Sequence, residues 1–254
     1  MGYFNDKQKL AIKAQNHIKE MELYSESIAH SIENSMIYID RSSIENFKPM
    51  FNTKVCVVKS DSVSAAIGMP DDVCVLNFAS FKHPGGMFLE GSSAQEECLC
   101  HTSTLYNVLK SFENTYYKYN KSNLNKGLYL NRCIYSKDIL FIKDGITKTC
   151  DVITCAAPNS TTVLRYNPNM KSETKKAYYN RVDFILSVAV LNGVRNLILG
   201  AFGCGVFGNK PGYAASVFKE LLSTRYKGCF ENVVFPIPDD RNYGIFNNII
   251  NGVV

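Results

Sequence analysis

The chain lacks any apolar run approaching the roughly 18 residues that a membrane-spanning helix requires, so no such helix is expected. Its first residues, MGYFNDKQKLAIKAQ, are polar and charged and contain no apolar secretory core. Gly2 follows Met1, but Asp6 stands where a myristoylation pattern wants Ser or Thr. Lys and Arg outnumber Asp and Glu by 28 to 23, yet they never gather into a dense basic block. Sequence-specific nucleic-acid binding is therefore not expected, and the formal charge of +5 suits a polyanionic small ligand only weakly. Cys98 and Cys100 form the only close cysteine pair, with no second pair or histidine spacing to complete a zinc site. No metal and no cofactor is expected. Internal repeats, low-complexity tracts and linkers are also missing. These absences point to one cytoplasmic, monomeric domain over residues 1–254.

What is present supports a folded core. Hydrophobic residues make up 46% of 254 positions, enough for a single large domain. Most of the nine cysteines lie in apolar runs, as Cys56, Cys74, Cys155 and Cys204 do, where a reduced thiol packs as a small hydrophobe. Residues 4–35 read as one or two helices, with His17 on a surface or interface. Strands follow over 36–39, 54–58 and 73–76, with a short capped helix over 61–68 between the last two. A helix is expected over 101–119, two strands around Ser136-Lys137 within 127–143, and a core strand over 151–155. Further on come a helix over 172–192, stopped by Gly193, a strand over 196–202, a helix opened by Pro211, and a last strand over 232–237. That alternation describes an α/β protein with a mostly parallel sheet covered on both faces.

The chemistry concentrates in NFASFKHPGGMFLEGSSAQEECLCHTSTLY (77–106). Pro84-Gly85-Gly86 can continue neither strand nor helix, and bare backbone there can approach a ligand closely. Gly91-Ser92-Ser93 offers a helix N-cap, with Gln95 and Glu96 each three residues after a serine, as in a capping box. One glutamate on a first helical turn needs no special reason, because the helix dipole favours it. Two adjacent ones, Glu96 and Glu97, point about 100° apart, so one can be structural while the other faces the glycine loop. A surface capping box remains the plain alternative. GCGVFG (203–208) repeats the logic of strand end, glycines and helix start. A glycine run alone is weak evidence, but two such loops at neighbouring strand ends suit a diphosphate. A dinucleotide-binding βαβ unit fits less well, since it wants its glycines on the first unit and an acidic residue about 20 positions on.

PGGMFLEGSSAQEE resembles the signature of the microbial-type poly(ADP-ribose) glycohydrolases, a branch of the macrodomain fold: a glycine triplet followed by Gln-Glu-Glu. Seven residues separate Met87 from Gln95, which fits; Met87 departs from the third glycine. The likeness continues through NFAS (77–80), HTSTLY (101–106), DVITCAAPN (151–159) and LGAFGCGVFGNKP (199–211). It implies a three-layer α/β/α domain with a mixed, mostly parallel sheet, extended by N-terminal helices over residues 1–35. It also implies ADP-ribose and poly(ADP-ribose), or ADP-ribosylated macromolecules, as partners. Under this resemblance Asn77, Gly85 and Gly86 hold the distal ribose region, Met87 either narrows the loop or points away, and Gln95 and Glu96 orient the scissile ribose. Glu97 is the catalytic residue, with a pKa expected to rise through burial and its neighbour's charge. Gly203, Cys204, Gly205, Val206 and Gly208 belong to a diphosphate loop in which Phe207 presses on the ribose. Ser80 stands where related sequences often carry Asn. Phe246 is a candidate for stacking on adenine, or else a core aromatic. A catalytically impaired ADP-ribose reader, and a hydrolase of mono-ADP-ribosyl or acyl-ADP-ribose substrates, remain alternatives.

Overall fold

The computed structural model describes residues 2–39 and 49–252. Helices α1 (Gly2–Met21) and α2 (Ser25–Glu33) lead into strand β1 (Met36–Ile39), and β2 (Lys54–Val58), α3 (Ser62–Gly68) and β3 (Val73–Phe78) follow. Next come α4 (Gln95–Cys100), α5 (Leu105–Lys110) and α6 (Lys118–Ser122), then the long strands β4 (Arg132–Lys143) and β5 (Ile146–Cys155). The chain finishes through α7 (Ser160–Tyr166), α8 (Lys171–Leu191), β6 (Asn196–Ile198), α9 (Pro211–Ser223), β7 (Asn232–Pro236) and α10 (Asp240–Ile250).

The strands form one seven-stranded sheet in the order β1-β4-β5-β3-β6-β7-β2. Pairs β5/β3, β3/β6, β6/β7 and β7/β2 are parallel, whereas β1/β4 and β4/β5 are antiparallel. The sheet is thus mixed and mostly parallel, as expected. Alternate residues of its central strands enter opposite cores. Cys74, Leu76, Ile153, Leu197, Val233 and Phe235 join α8 and α9 on one face; Val73, Val75, Val152, Ile198 and Val234 meet Val63, Leu105 and Leu109 on the other.

Local chemistry sets several boundaries. Asp61 caps α3 by accepting from the Ser64 N–H at 2.9 Å. Asp144-Gly145, both at positive φ, turns β4 back into β5. Ser136-Lys137 is not a break between two strands: a register shift between Ser136 and Ile139 lets one strand continue. The helix expected over 101–119 is broken into α5, a π-helical turn over Glu113–Tyr117, and α6. The strand expected over 196–202 ends at Ile198, where the glycine-loop approach begins.

The N-terminal helices are not a detached extension. Ala14 is fully buried, and a side chain on Gly91 would sit 2.0 Å from the Lys7 carbonyl oxygen, so α1 lies directly against the first glycine-rich loop. His17 is buried rather than on a surface, with Nε2 3.0 Å from the Ser103 carbonyl oxygen.

Candidate active site

The first loop leaves β3 and returns as α4, so the first turn of that helix faces the end of its own strand. The serines do not cap it; Ala94 holds the N-cap position without a side-chain bond. Gln95, Glu96 and Glu97 reach across space instead. Gln95 Oε1 accepts from the Phe78 N–H at 2.8 Å, and its Nε2 donates to the Leu76 carbonyl at 2.8 Å and to Ser62 Oγ at 3.2 Å. Its amide therefore locks α4 to β3 and is spent on protein. Glu96 accepts from Asn77 Nδ2 at 3.2 Å and from the Ser80 N–H at 2.7 Å. Ser80 thus serves the site through its backbone, while its hydroxyl accepts from the Lys82 and His83 N–H groups.

Glu97 Oε1 accepts from the Met87 N–H at 2.9 Å, and Oε2 is buried with no partner among the described residues. Asn77 Oδ1 is likewise buried and unpartnered. Such orphan acceptors carry a desolvation cost unless something donates to them. Hydroxyl groups of a bound sugar are suitable donors.

The departure at Met87 has a simple physical reading. Gly85 and Gly86 sit at φ +68° and +64°, where L side chains are strained, but Met87 does not. Its N–H supplies the contact to Glu97, and its side chain is half exposed.

Burial raises the Glu96 carboxyl to about 8, with bonds from Ser80 and Asn77 opposing the rise and the Glu97 charge adding to it. Glu96 is therefore largely neutral at pH 7. A carboxyl whose folded pKa exceeds its unfolded value contributes stability in full below about 4.5 and loses it as pH rises through about 8. The Glu96→Gln protein stays neutral throughout. Its NH₂ group must face one of the two donors that Glu96 accepts from, a loss independent of pH, so its melting temperature relative to wild type should rise from pH 5 to pH 9, by up to the order of 10 °C for a shift of this size. Parallel melting curves across that range would show that Glu96 does not carry the buried proton.

The second loop follows β6, the neighbour of β3, so the two glycine loops do stand side by side. Asn209 pins its base, donating from Nδ2 to the Pro158 and Gly203 carbonyls at 2.9 and 3.0 Å. Thr161 holds its rim through the Val206 and Phe207 carbonyls. Gly203 and Gly208 are structural glycines at φ +70° and +68°, because a side chain would strike Ala157 and Asn209 or Thr161 respectively. The N–H groups of Gly205, Val206 and Phe207 donate to no protein acceptor among the described residues. They form a row of free donors of the kind that holds phosphate oxygens. Val206 is exposed, Cys204 is partly buried against the core, and Phe207 lies edge-on to Tyr129 at 6.1 Å. Phe246 is fully buried against Phe235 and belongs to the core, so it cannot stack on a ligand.

A mixed α/β/α domain with paired glycine loops over adjacent strand ends and two buried carboxylates beside them defines a macrodomain-like protein. The model of the microbial-type PARG catalytic domain matches residues 3–144, more than half of the chain, and the chain belongs to that family. The structure of poly(ADP-ribose) glycohydrolase from Deinococcus radiodurans in complex with ADP-ribose is similar at 29% identity, the match covering 89% of this chain and 98% of that one with a TM-score of 0.81. That of poly(ADP-ribose) glycohydrolase from Thermomonospora curvata is similar at 26% identity, covering 95% and 99% with a TM-score of 0.84. The Thermomonospora curvata glycohydrolase bound to the inhibitor ADP-HPD gives 26%, with 94% and 98% covered and a TM-score of 0.82. No curated protein matches the chain in sequence.

Proposed function

We propose that this protein is a poly(ADP-ribose) glycohydrolase, cleaving the ribose–ribose O-glycosidic bond to release ADP-ribose, with Glu97 as general acid and then general base. The observation that carries this reading is the unequal state of the two Glu97 oxygens: one held by the Met87 N–H, the other buried and unpartnered. Fixing one oxygen aims the other, and that free oxygen is the one that can exchange a proton with substrate.

In this mechanism the diphosphate rests on the free N–H groups of the 205–207 loop, and Phe207 limits the pose of the ribose. Asn77 Oδ1 accepts from a ribose hydroxyl, and Glu96 orients the sugar as a neutral, hydrogen-bonded acid. The bond breaks through an oxocarbenium-like state, so the leaving oxygen takes a proton from Glu97, which then accepts one from the attacking water.

The whole chain acts as one catalytic domain, the N-terminal helices bracing the signature loop through Gly91 and His17. No described helix is long and apolar enough to cross a membrane. The nine cysteines are all free thiols, which supports a reducing compartment such as the cytoplasm.

The deciding experiment is incubation of purified protein with automodified poly(ADP-ribose) and chromatography of the products. Free ADP-ribose should appear. Binding of ADP-ribose without its release from polymer would instead make the protein a reader. Gly205→Val tests the loop. A side chain there meets nothing within 4 Å and its φ is not left-handed, so the variant should fold normally. It should nonetheless lose ADP-ribose affinity by about tenfold or more, ~1.4 kcal/mol, because the side chain blocks close approach to the loop backbone. An unchanged calorimetric Kd would move the diphosphate elsewhere.

A further inference from the structure

The same end of the sheet carries a second cavity of about 380 Å³, beyond the site described above. Its walls include Arg132, Arg181, Asn131, Asn180, Tyr119 and Tyr129, and no carboxylate among the described residues lines it. Register places it on the line of the ligand groove. Phe78 pairs with Cys155, Cys155 with Cys133, and the next row brings Arg132 opposite Ile39, which also lines the cavity. Crossing the strand ends in order therefore meets the diphosphate loop after β6, the glutamate pair leaning on β3, the end of β5, and then the cavity at the start of β4. Tyr129 is the shared wall. Its ring stacks on Phe81 at 4.3 Å on the β3 side, touches Phe207 edge-on, and borders the cavity.

Arg132 is the unexplained group. It is 5% exposed, yet its Nε has no partner, and its side chain makes no hydrogen bond or ion pair among the described residues. Two aromatic rings flank the guanidinium, which lies 4.3 Å from the Tyr119 centroid and 5.6 Å from that of Tyr116. Arg181 is also buried. It donates to Asn131 Oδ1 at 2.8 Å, to the Leu128 carbonyl at 3.3 Å and to the Ala156 carbonyl, without a carboxylate partner among the described residues. Two buried guanidinium groups around one cavity, with no carboxylate partner among the described residues, are costly unless an anion arrives. Planar fork donors beside exposed aromatic faces suit a phosphate attached to a base.

We propose that this cavity is a second polymer subsite, which receives the adenosine diphosphate of the ADP-ribose unit on the leaving side of the scissile bond. The proposal rests on the glycohydrolase reading. Running from the diphosphate loop to the glutamates fixes the direction of the bound unit, and the leaving group continues that direction toward β5 and β4. The subsite raises affinity for polymer and contributes nothing to binding of free ADP-ribose, which ends at the glutamates.

The test compares KM and kcat on poly(ADP-ribose) with the calorimetric Kd for ADP-ribose. Arg132→Gln should raise KM for polymer about tenfold, the worth of one charge-assisted bond, with kcat and the ADP-ribose Kd unchanged. Asn180, exposed on α8, gives a second route should Arg132→Gln fail to fold. Asn180→Glu places a carboxylate in the cavity and should raise KM similarly, whereas Asn180→Lys should leave it the same or lower. Equal effects of Glu and Lys at position 180, or an unchanged polymer KM in folded Arg132→Gln, would overturn the subsite while leaving the glycohydrolase reading standing. Wild-type protein that releases no ADP-ribose removes both together.

Discussion

Glu97→Gln releases no measurable ADP-ribose from polymer and binds ADP-ribose as tightly as wild type. The substitution is isosteric. The amide oxygen of the new side chain still accepts from the Met87 N–H, which holds Glu97 Oε1 at 2.9 Å, so the glycine loop keeps its anchor. The unpartnered Oε2 becomes an NH₂ group that can neither deliver nor accept the proton. General acid–base catalysis is worth about 10² to 10⁴ in rate, and here one residue serves both half-reactions. The expected fall in kcat is therefore about 10³-fold or more. Steady-state release of ADP-ribose and calorimetry on the same preparation read the two halves of the claim. A variant keeping a tenth of wild-type kcat would take the catalytic role away from Glu97, and one with a collapsed ADP-ribose affinity would make it a binding residue.

What sequence reading achieved and missed divides along physical lines. The run before Asn77, the Pro-Gly-Gly break and the paired glycine loops are local signals, and they place the two loops on neighbouring strands as the structure has them. The capping-box reading failed because it considered only partners within one turn. Gln95, Glu96 and Glu97 found better ones on β3 and in the glycine loop, at separations of 10 to 19 residues. The rise at Glu96 could not be read, because it depends on depth in the finished fold, and burial is what drives it. His17 and Phe246 turned out buried for the same reason: their surroundings are built by distant segments. Two omissions were avoidable. Asp144-Gly145 is a strong hairpin signal and would have joined β4 to β5. Asp239 caps α10 by accepting from the Asn242 N–H at 2.8 Å, a start signal legible in the chain. The cavity around Arg132 and Arg181 left no motif, since its walls come from segments as far apart as β1 and α8.

Gly86→Ala should cut kcat by about 100-fold or more, the larger effect of the two glycine changes a comparison needs. At φ +64° an alanine is already strained by about 1 kcal/mol. More important is where its methyl group would lie: 2.6 Å from Glu97 Oε1 and 2.8 Å from Glu96 Oε2. Side-chain ends usually swing away from such an intrusion cheaply. These two cannot do so freely, because Glu96 is held by Asn77 and the Ser80 N–H, Glu97 by the Met87 N–H, and both are buried. Relief means breaking at least one of those bonds and moving a carboxyl by a distance that catalytic geometry does not tolerate. Gly145→Ala separates strain from chemistry. That residue also has positive φ, +77°, but sits in the β4–β5 turn with nothing within 4 Å of an added methyl. It should lower the melting temperature and leave kcat unchanged, while Gly86→Ala lowers both. Should the two variants behave alike once scaled for folded protein, the tight fit between the glycine loop and the glutamates would be a matter of stability, and Gly86 would have no part in positioning the catalytic pair.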